Sequence, residues 1–200
     1  MLKQILWHKK SSKKTLPEAL KEANYLYGDL EFWTTDEHRI GLQPILRKLW
    51  APKGERPQVT VYPRYEWLYL YAFVRPSTGE TYWLLMPYLN TKAFSLALEL
   101  FAKTRDKHVL LMMDNAAWHK SSKLVIPETI STLFQPPYSP ELQPAEHLWQ
   151  FSDEPLTNQC FDSLDDLQNS LELHCRMIMT QPQYIQRIHK ATCFHWLPQT

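Results

Sequence analysis

The sequence HVLLMM at positions 108–113 is the stretch that most constrains the fold. A run that stays apolar over consecutive positions is typical of a central strand buried on both faces of its sheet. Such a strand requires a layer of other elements on each face. The run ends at Asp114. Residues at the carboxyl ends of central strands reach the edge where open α/β sheets bind their ligands.

Shorter patterns predict the other elements. The turn residues Pro76 and Gly79 in RPSTGE predict a hairpin, and Ser163 with Asp166 predicts a capped helix start. The predicted strands lie at 31–36, 65–74, 81–86, 108–113 and 130–134. The predicted helices lie at 16–25, 90–104, 119–125, from 144 to beyond 149, and at 163–179. This order predicts an α/β fold with a mixed sheet flanked by helices.

The composition allows one sizeable hydrophobic core, because 44% of the 200 residues are hydrophobic and 13% are aromatic. We divide the chain into a basic N-terminal segment or remnant linker at 1–30 and a folded domain with C-terminal helices at 31–200. The net charge of +1 excludes a protein that is basic throughout. The best local basic patch is Lys9, Lys10, Lys13 and Lys14, which is either a nucleic-acid contact or a solvated tail.

The cysteines favour neither a disulfide framework nor a zinc site. Cys160, Cys175 and Cys193 are odd in number and contain no C-x-x-C pair. The pairs His174–Cys175 and Cys193 with His195 fit no structural zinc spacing. Reduced thiols are typical of a cytoplasmic protein, and no apolar run approaches the ~20 residues that span a bilayer.

Three acidic residues stand where a catalytic site would be expected: Asp36, Asp114 and Glu146. Asp36 ends the first predicted strand, and because strand side chains alternate, its neighbour Glu37 cannot face the same site. Glu146 follows a proline-rich loop near a helix start, where the helix dipole favours an ionised carboxylate. Each acid also has a structural interpretation, as a turn cap, a strand-end residue or a first-turn helix acid. The spacing alone leaves both interpretations open.

Together the three carboxylates would form an oxygen-rich site that suits Mg²⁺ or Mn²⁺ better than zinc. Two such ions, held about 4 Å apart, could activate a water or a DNA 3′-hydroxyl and stabilise the departing oxygen during phosphodiester chemistry. No covalent protein–DNA intermediate is needed for that reaction.

Three motifs carry a family resemblance: TTDEHRIGLQP, LMMDNAAWHKS and PPYSPELQPAEHLW, in that order. Together with WAPKGERP, RYEWLYLY and TCFHWLP, they resemble the catalytic domain of DDE transposases of the Tc/mariner superfamily. The bacterial insertion-sequence branch is the most similar. The resemblance runs from about residue 31 to the C-terminus, and PPYSPELQPAE followed by a tryptophan is its most specific part.

The resemblance implies an RNase H-like, retroviral-integrase-like fold that cleaves and joins DNA strands with Mg²⁺ or Mn²⁺, as two ions. Asp36, Asp114 and Glu146 match the first, second and third catalytic and metal-binding acids of the family. The implied partners are the transposon ends and target DNA, with the chain acting as a homo-oligomer. The implied location is the cytoplasm, with the chain on the nucleoid when bound to DNA.

Other residues of these motifs are expected to have supporting roles. His119 contacts a DNA phosphate or a metal-bound water, or else holds a loop. Asn115 is expected to orient Asp114 through a hydrogen bond. The segment 138–140 would shape the loop before Glu146. Trp149 is either a core residue or a platform for a stacked base.

Family members carry helix-turn-helix modules before the catalytic domain, and we expect none in the residues before Asp36. The chain would then be the second frame of a split element with a separately encoded N-terminal part, a truncated remnant, or the product of a misassigned start. The alternative function is a non-catalytic or truncated transposase remnant that acts as a dimerisation or regulatory partner. A general RNase H-like nuclease acting on RNA–DNA hybrids is a third hypothesis.

Overall fold

The computed structural model gives the architecture of most of the chain. It describes residues 5–6, 12–48, 50–55, 58, 61, 64–135 and 143–192. The Lys9 and Lys10 positions, the 138–140 segment, Cys193 and His195 lie outside these residues. Within them, no helix combines the length and the apolar character that a membrane span requires.

Six strands form one sheet, and helices pack on it. The strands are β1 (Ile5–Leu6), β2 (Leu30–Gly41), β3 (Trp67–Arg75), β4 (Glu80–Met86), β5 (His108–Met113) and β6 (Ile130–Phe134). The α-helices are α1 (Ser12–Tyr27), α2 (Thr91–Ala102), α3 (Trp149–Ser152), α4 (Leu164–Met179) and α5 (Pro182–Thr192). Two 3₁₀ helices, Pro144–Leu148 and Glu154–Leu156, flank α3.

The sheet has the strand order β1-β6-β5-β2-β3-β4. β2, β3 and β4 form an antiparallel meander, whereas β2, β5, β6 and β1 pair in parallel. This arrangement confirms the predicted mixed sheet. The parallel pairing places the carboxyl end of β5 beside the middle of β2, because β5 ends at Met113 while β2 continues to Gly41.

One face of the sheet is covered by α2. Asn90 caps this helix, since its side chain accepts a hydrogen bond of 2.9 Å from the Ala93 N–H. Its buried stripe, spaced as a helical face requires, includes Phe94, Leu98 and Phe101. These side chains join the buried aromatic and aliphatic residues of the strands in one core, which contains Trp33, Tyr71, Phe73, Val109, Leu111 and Met113.

The opposite face is covered by α4. Ser163 caps the helix as predicted, accepting a hydrogen bond of 3.1 Å from the Asp166 N–H. Its buried residues follow a helical stripe and are Leu167, Leu171, Cys175 and Ile178. Most of them pack against Ile40, Leu68 and Leu70 of the central strands. Cys175 is therefore a core residue, and burial raises the pKa of its thiol to about 12.

The ends of the described chain also pack on the sheet. Ala23 of α1 is buried, and the Tyr27 ring stacks on His108 at the start of β5, with 3.7 Å between ring centroids. Ile185 of α5 is buried near the β3–β4 hairpin, where the Gln186 side chain donates to the Ser77 carbonyl. Neither β1 nor α5 was predicted. The division between 1–30 and 31–200 stays a prediction.

The helix predicted at 119–125 is wrong, because this segment consists of turns and irregular backbone. Two of its N–H groups bond to side chains, and two bond to carbonyls three residues earlier, as in turns. Lys123 donates to Ser121 Oγ at 3.2 Å, and Val125 donates to Ser95 Oγ of α2 at 3.1 Å. The first predicted strand is too short, since pairing with β3 continues to Gly41, opposite Trp67.

The contact between the β3–β4 hairpin and α5 depends on Gly79. Gly79 has a φ of +78°, and a Cβ at this position would overlap the Pro182 carbonyl oxygen. We expect Gly79→Ala to lower the free energy of unfolding by about 3 kcal/mol, from the left-handed backbone and the overlap together. Denaturant titration measures this change.

Gly54 provides the matched control. It also has a positive φ, of +98°, but a Cβ there would meet nothing within 4 Å. Gly54→Ala should therefore cost only about 1 kcal/mol, the backbone part alone. Equal losses in the two variants would contradict the close contact between the hairpin and α5.

Candidate active site

Asp36 and Asp114 lie near each other at the point where β5 ends beside the middle of β2. β2 and β5 pair in parallel, with Thr34 opposite Met112. Asp36 lies two residues further along β2, and Asp114 directly follows Met113, the last residue of β5. Asp36, which pairs with Ala72 of β3, faces the same side of the sheet as Thr34, and the charge of Asp114 is close enough to raise its pKa. The structure thus brings together two of the three predicted acids.

Asp36 is held in an environment that disfavours its charge. Burial is the largest cause that raises its pKa, which reaches about 7, and the negative charges of Glu37 and Asp114 raise it further. Without a cation nearby, this carboxyl is therefore partly protonated at neutral pH. A divalent cation between the two aspartates would remove the repulsion, so the residues present fit Mg²⁺ or Mn²⁺.

Trp149 supports Asp36 from the neighbouring helix. Its indole Nε1–H donates to Asp36 Oδ2 at 3.1 Å, and this bond favours the ionised carboxylate. The indole also stacks on His38 with 4.9 Å between ring centroids, and His38 in turn bonds to Asp153 at 2.9 Å. Trp149 packs against Trp83 in the core as well. It is therefore a half-buried residue packed against the core, closer to the first of its two predicted roles, with a polar contact that the sequence did not predict.

Asp114 is held by hydrogen bonds that favour its ionised form, in contrast to the environment of Asp36. Burial would raise its pKa, but hydrogen bonds from His119 and the Ala116 N–H, and the positive charges of His119 and Lys120, lower it overall. Both hydrogen bonds fall on Oδ1, at 2.7 Å from His119 Nδ1 and 2.9 Å from Ala116 N. The side chain remains 42% exposed. Asp114 is therefore an ionised, accessible carboxylate.

His119 joins Asp114 to Glu37. Its Nε2 lies 3.0 Å from Glu37 Oε1, and the second Glu37 oxygen accepts a hydrogen bond of 3.2 Å from Trp118 Nε1. Burial lowers the pKa of His119, but the two carboxylates outweigh burial and raise it to about 9. The imidazole is therefore a cation at neutral pH that donates from both nitrogens. Of the predicted roles of His119, this geometry corresponds to holding the loop.

Glu146 lies in the first turn of the 3₁₀ helix Pro144–Leu148, and its side chain is exposed. This helix is anchored on β2 because the Gln143 side chain donates to the Thr35 carbonyl at 3.0 Å. Ala145 and Leu148 are fully buried beneath it. Among the residues that the structure describes, no three His, Cys, Asp or Glu side chains form a group that could hold a metal ion. Glu146 is thus on an element that packs against β2, but the three acids do not form a closed cluster.

Asn115 does not have its predicted partner. Its side chain donates to the Gln135 carbonyl at the end of β6, at 2.6 Å, and not to Asp114. The residues that the sequence interpretation missed are Glu37 and the indole N–H of Trp149. Alternation along β2 excluded Glu37 from the face of Asp36 correctly, but the pairing of Glu37 with His119 had no local signal.

Sequence comparison places the chain in a family. Residues 31–168, more than half of the chain, match the family described as DDE superfamily endonuclease. The chain belongs to the DDE superfamily of endonucleases. This DDE domain is also similar to the uncharacterized protein y4pE/y4sA of Sinorhizobium fredii (strain NBRC 101917 / NGR234). The identity is 35% over 125 residues, which cover 61% of this chain and 93% of that protein.

Solved structures of the Mos1 mariner transposase share the fold. Its catalytic domain matches with a TM-score of 0.54 and 18% identity, over 91% of this chain and 90% of that one. The mariner Mos1 paired end complex with Mg matches with a TM-score of 0.62 and 20% identity, over 91% of this chain and 57% of the other. The DDE domain is RNase H-like, as the resemblance implied.

The predicted resemblance is confirmed for a DDE domain with a mariner-type fold, and its bacterial insertion-sequence branch stays a prediction. The DDE domain spans only 58% of the Mos1 chain in the strand transfer complex.

The raised pKa of Asp36 predicts a pH-dependent effect of Asp36→Asn. Below pH 3.8 the carboxyl is neutral in the folded and unfolded states, and between 3.8 and about 7 it ionises only when the chain unfolds. Asp36 therefore lowers the free energy of unfolding progressively as the pH rises from 3.8 to about 7. With a chelator present, Asp36→Asn should match the wild type at pH 4 and exceed it by roughly 2–4 kcal/mol at pH 8.

Denaturant titration at several pH values measures this difference. The exposed Asp106 supplies the control, since Asp106→Asn should change the free energy of unfolding by less than about 0.5 kcal/mol at every pH. If Asp36→Asn and the wild type had the same pH dependence, the unfavourable environment of Asp36 would be contradicted.

Proposed function

We propose that this DDE domain is the catalytic domain of an insertion-sequence transposase, which cleaves DNA strands and transfers them in a metal-dependent reaction through Asp36, Asp114 and Glu146. The observation that carries the proposal is the proximity of Asp36, in the middle of β2, to Asp114, directly after the end of β5. Membership of an endonuclease family supports it. The anchoring of the Glu146 helix on β2 by Gln143 supports the inclusion of the third acid.

The carboxylates of Asp36, Asp114 and Glu146 would hold two Mg²⁺ or Mn²⁺ ions. When bound, such ions activate the attacking water or 3′-hydroxyl and stabilise the departing oxygen of the phosphodiester. Mos1 paired end complexes with Mg and with Mn are known, which supports the choice of ion.

The surrounding residues prepare the acids for this role. Trp149 keeps Asp36 Oδ2 in place with a neutral hydrogen-bond donor that adds no competing positive charge. The cationic His119 keeps Asp114 ionised although it is partly buried. Lys120, exposed next to this pair, adds a positive charge where a DNA phosphate would approach.

The proposed partners are transposon ends and target DNA. Mos1 transposase forms a paired-end complex with a left transposon end and a strand transfer complex, which supports DNA as the substrate. A homo-oligomer, a separately encoded helix-turn-helix part, and a cytoplasmic, nucleoid-associated location belong to the same proposal. The division into an N-terminal segment at 1–30 and a catalytic domain at 31–200 is also part of this proposal.

One observation favours a second candidate, a non-catalytic remnant that acts as a dimerisation or regulatory partner. The described residues contain no group of three side chains that could hold a metal ion, and Glu146 is exposed. A chain that keeps the fold but does not close the site would behave in this way. The two candidates differ in whether the purified chain cleaves DNA.

Nicking of supercoiled plasmid in Mg²⁺ and in Mn²⁺ tests the proposal. We expect the wild type to nick, and Asp114→Asn and Glu146→Gln to lower the rate by more than about 100-fold, because each removes a metal-binding carboxylate. Asp106→Asn, at an exposed position outside the site, should nick at the wild-type rate.

A folded wild type without nicking activity would favour the non-catalytic remnant. Nicking that survives in both Asp114→Asn and Glu146→Gln would contradict the assignment of the catalytic acids. Faster cleavage of an RNA–DNA hybrid than of duplex DNA would favour a general RNase H-like nuclease over a transposase.

A further inference from the structure

His119 contacts two carboxylates at once, those of Asp114 and Glu37. The His119 side chain has no exposed surface, and the Glu37 side chain is 3% exposed. Each ring nitrogen has its own carboxylate, with Nδ1 on Asp114 at 2.7 Å and Nε2 on Glu37 at 3.0 Å. Any rotation of the ring would therefore break at least one of these two bonds.

A purely structural role explains this arrangement poorly. Burying an ionised glutamate and a histidine is costly unless both are paired, and well-packed apolar residues are often at least as stabilising as a buried ion pair. The ring of Phe94 already lies against His119, with 4.2 Å between centroids, so apolar neighbours are at hand. The polar arrangement therefore favours a role beyond packing.

Among the residues that the structure describes, the hydrogen bonds to Asp114 fall on one of its oxygens. His119 and the Ala116 N–H both bond to Oδ1, and the carboxylate is still 42% exposed. Oδ2 is thereby left for a ligand, on a carboxyl group whose orientation is already set. A metal ligand held in this way loses little conformational freedom on binding a cation.

Glu37 also connects the two aspartates through one rigid element. Glu37 follows Asp36 directly in β2, so the two side chains face opposite sides of the sheet. Glu37 pairs with Tyr71 of β3, and Asp36 pairs with Ala72. Asp36 reaches the proposed metal site directly, whereas Glu37 reaches it through His119 and Asp114. The spacing between the two proposed ligands is thus fixed by the β2 backbone as well as by the pairing of β2 with β5.

We propose that Glu37 and His119 are positioning residues: Glu37 fixes the His119 ring, and His119 fixes Asp114 Oδ1 so that Oδ2 is pre-set to bind a divalent cation. This inference rests on the proposed function, since it takes Asp114 as a metal ligand. It assigns no contact with DNA or metal to Glu37 or His119 themselves.

Mn²⁺ affinity, measured by calorimetry on the full chain without DNA, tests the inference independently of catalysis. Glu37→Gln keeps the size of the side chain and removes the charge that orients the ring, so we expect about 10-fold weaker binding. His119→Ala removes the donor to Asp114 and should weaken binding about 10–100-fold. Glu99→Gln, on the exposed side of α2, should bind Mn²⁺ as the wild type does.

Conservative replacements separate positioning from packing. The amide nitrogen of Asn at position 119 takes the place of Nδ1, so His119→Asn should restore affinity to within about threefold of the wild type. The amide nitrogen of Gln takes the place of Nε2 and cannot donate to Asp114, so His119→Gln should stay about 10-fold weaker or more. The melting temperature of each variant reports its packing separately.

Equal Mn²⁺ affinity of the wild type, Glu37→Gln and His119→Gln, with only the melting temperatures lowered, would overturn the inference in favour of a structural role. Asp114→Asn identifies a failure of the proposed function itself. If this variant bound Mn²⁺ as tightly as the wild type, Asp114 would not be a ligand, and both proposals would fall. Should His119→Ala not fold, Glu37→Gln and the Asn and Gln variants at 119 decide the outcome.

Discussion

The parallel pairing of β2 with β5 brings two carboxylates into mutual repulsion. Asp36 lies two residues beyond Thr34, the last β2 residue that pairs with β5, and Asp114 directly follows β5; a shift of β2 by one residue would move Asp36 to the other face. The repulsion, together with burial, raises the pKa of Asp36 to about 7. Such an arrangement lowers the stability of the fold, and it is reasonable in a protein only where a cation or a reaction makes use of it.

The two aspartates are supported in different ways, which divides their roles. A neutral indole N–H from Trp149 holds Asp36, and a cationic imidazole from His119 holds Asp114. At neutral pH Asp114 is therefore ionised, whereas Asp36 is partly protonated. Trp149 follows the 3₁₀ helix that carries Glu146, so the bond to Asp36 also ties the segment of the third acid to β2.

Much of the fold could be predicted because its signals are local. The bounds of β5 and β6 agree with their apolar runs, and the caps at Asn90 and Ser163 lie where the helices begin. The length of β2 beyond Asp36 could not be predicted, since its last residues are ordered by pairing with β3. The turns at 119–125 likewise depend on side-chain contacts with α2 that no periodicity encodes.

The same distinction applies to the site. The proximity of Asp36 and Asp114 could be predicted because each follows a strand-like apolar pattern and lies in a family motif, while their role as catalytic acids stays a prediction. The partnership of Glu37 with His119 joins residues 82 positions apart in sequence, and only the folded sheet brings them together. The placement of Glu146 depends on how its 3₁₀ helix docks on β2, which is a tertiary property.

The central claim is that Asp36, Asp114 and Glu146 form one divalent-cation site. Anomalous diffraction from crystals soaked in Mn²⁺ tests it most directly, because the signal locates the ion without reference to activity. The account predicts a peak within about 2.0–2.6 Å of carboxylate oxygens of both aspartates, with Glu146 as a further ligand of the same site. A peak bound elsewhere on the chain, or no peak at the aspartates in Mn²⁺ that saturates the protein, would contradict the account.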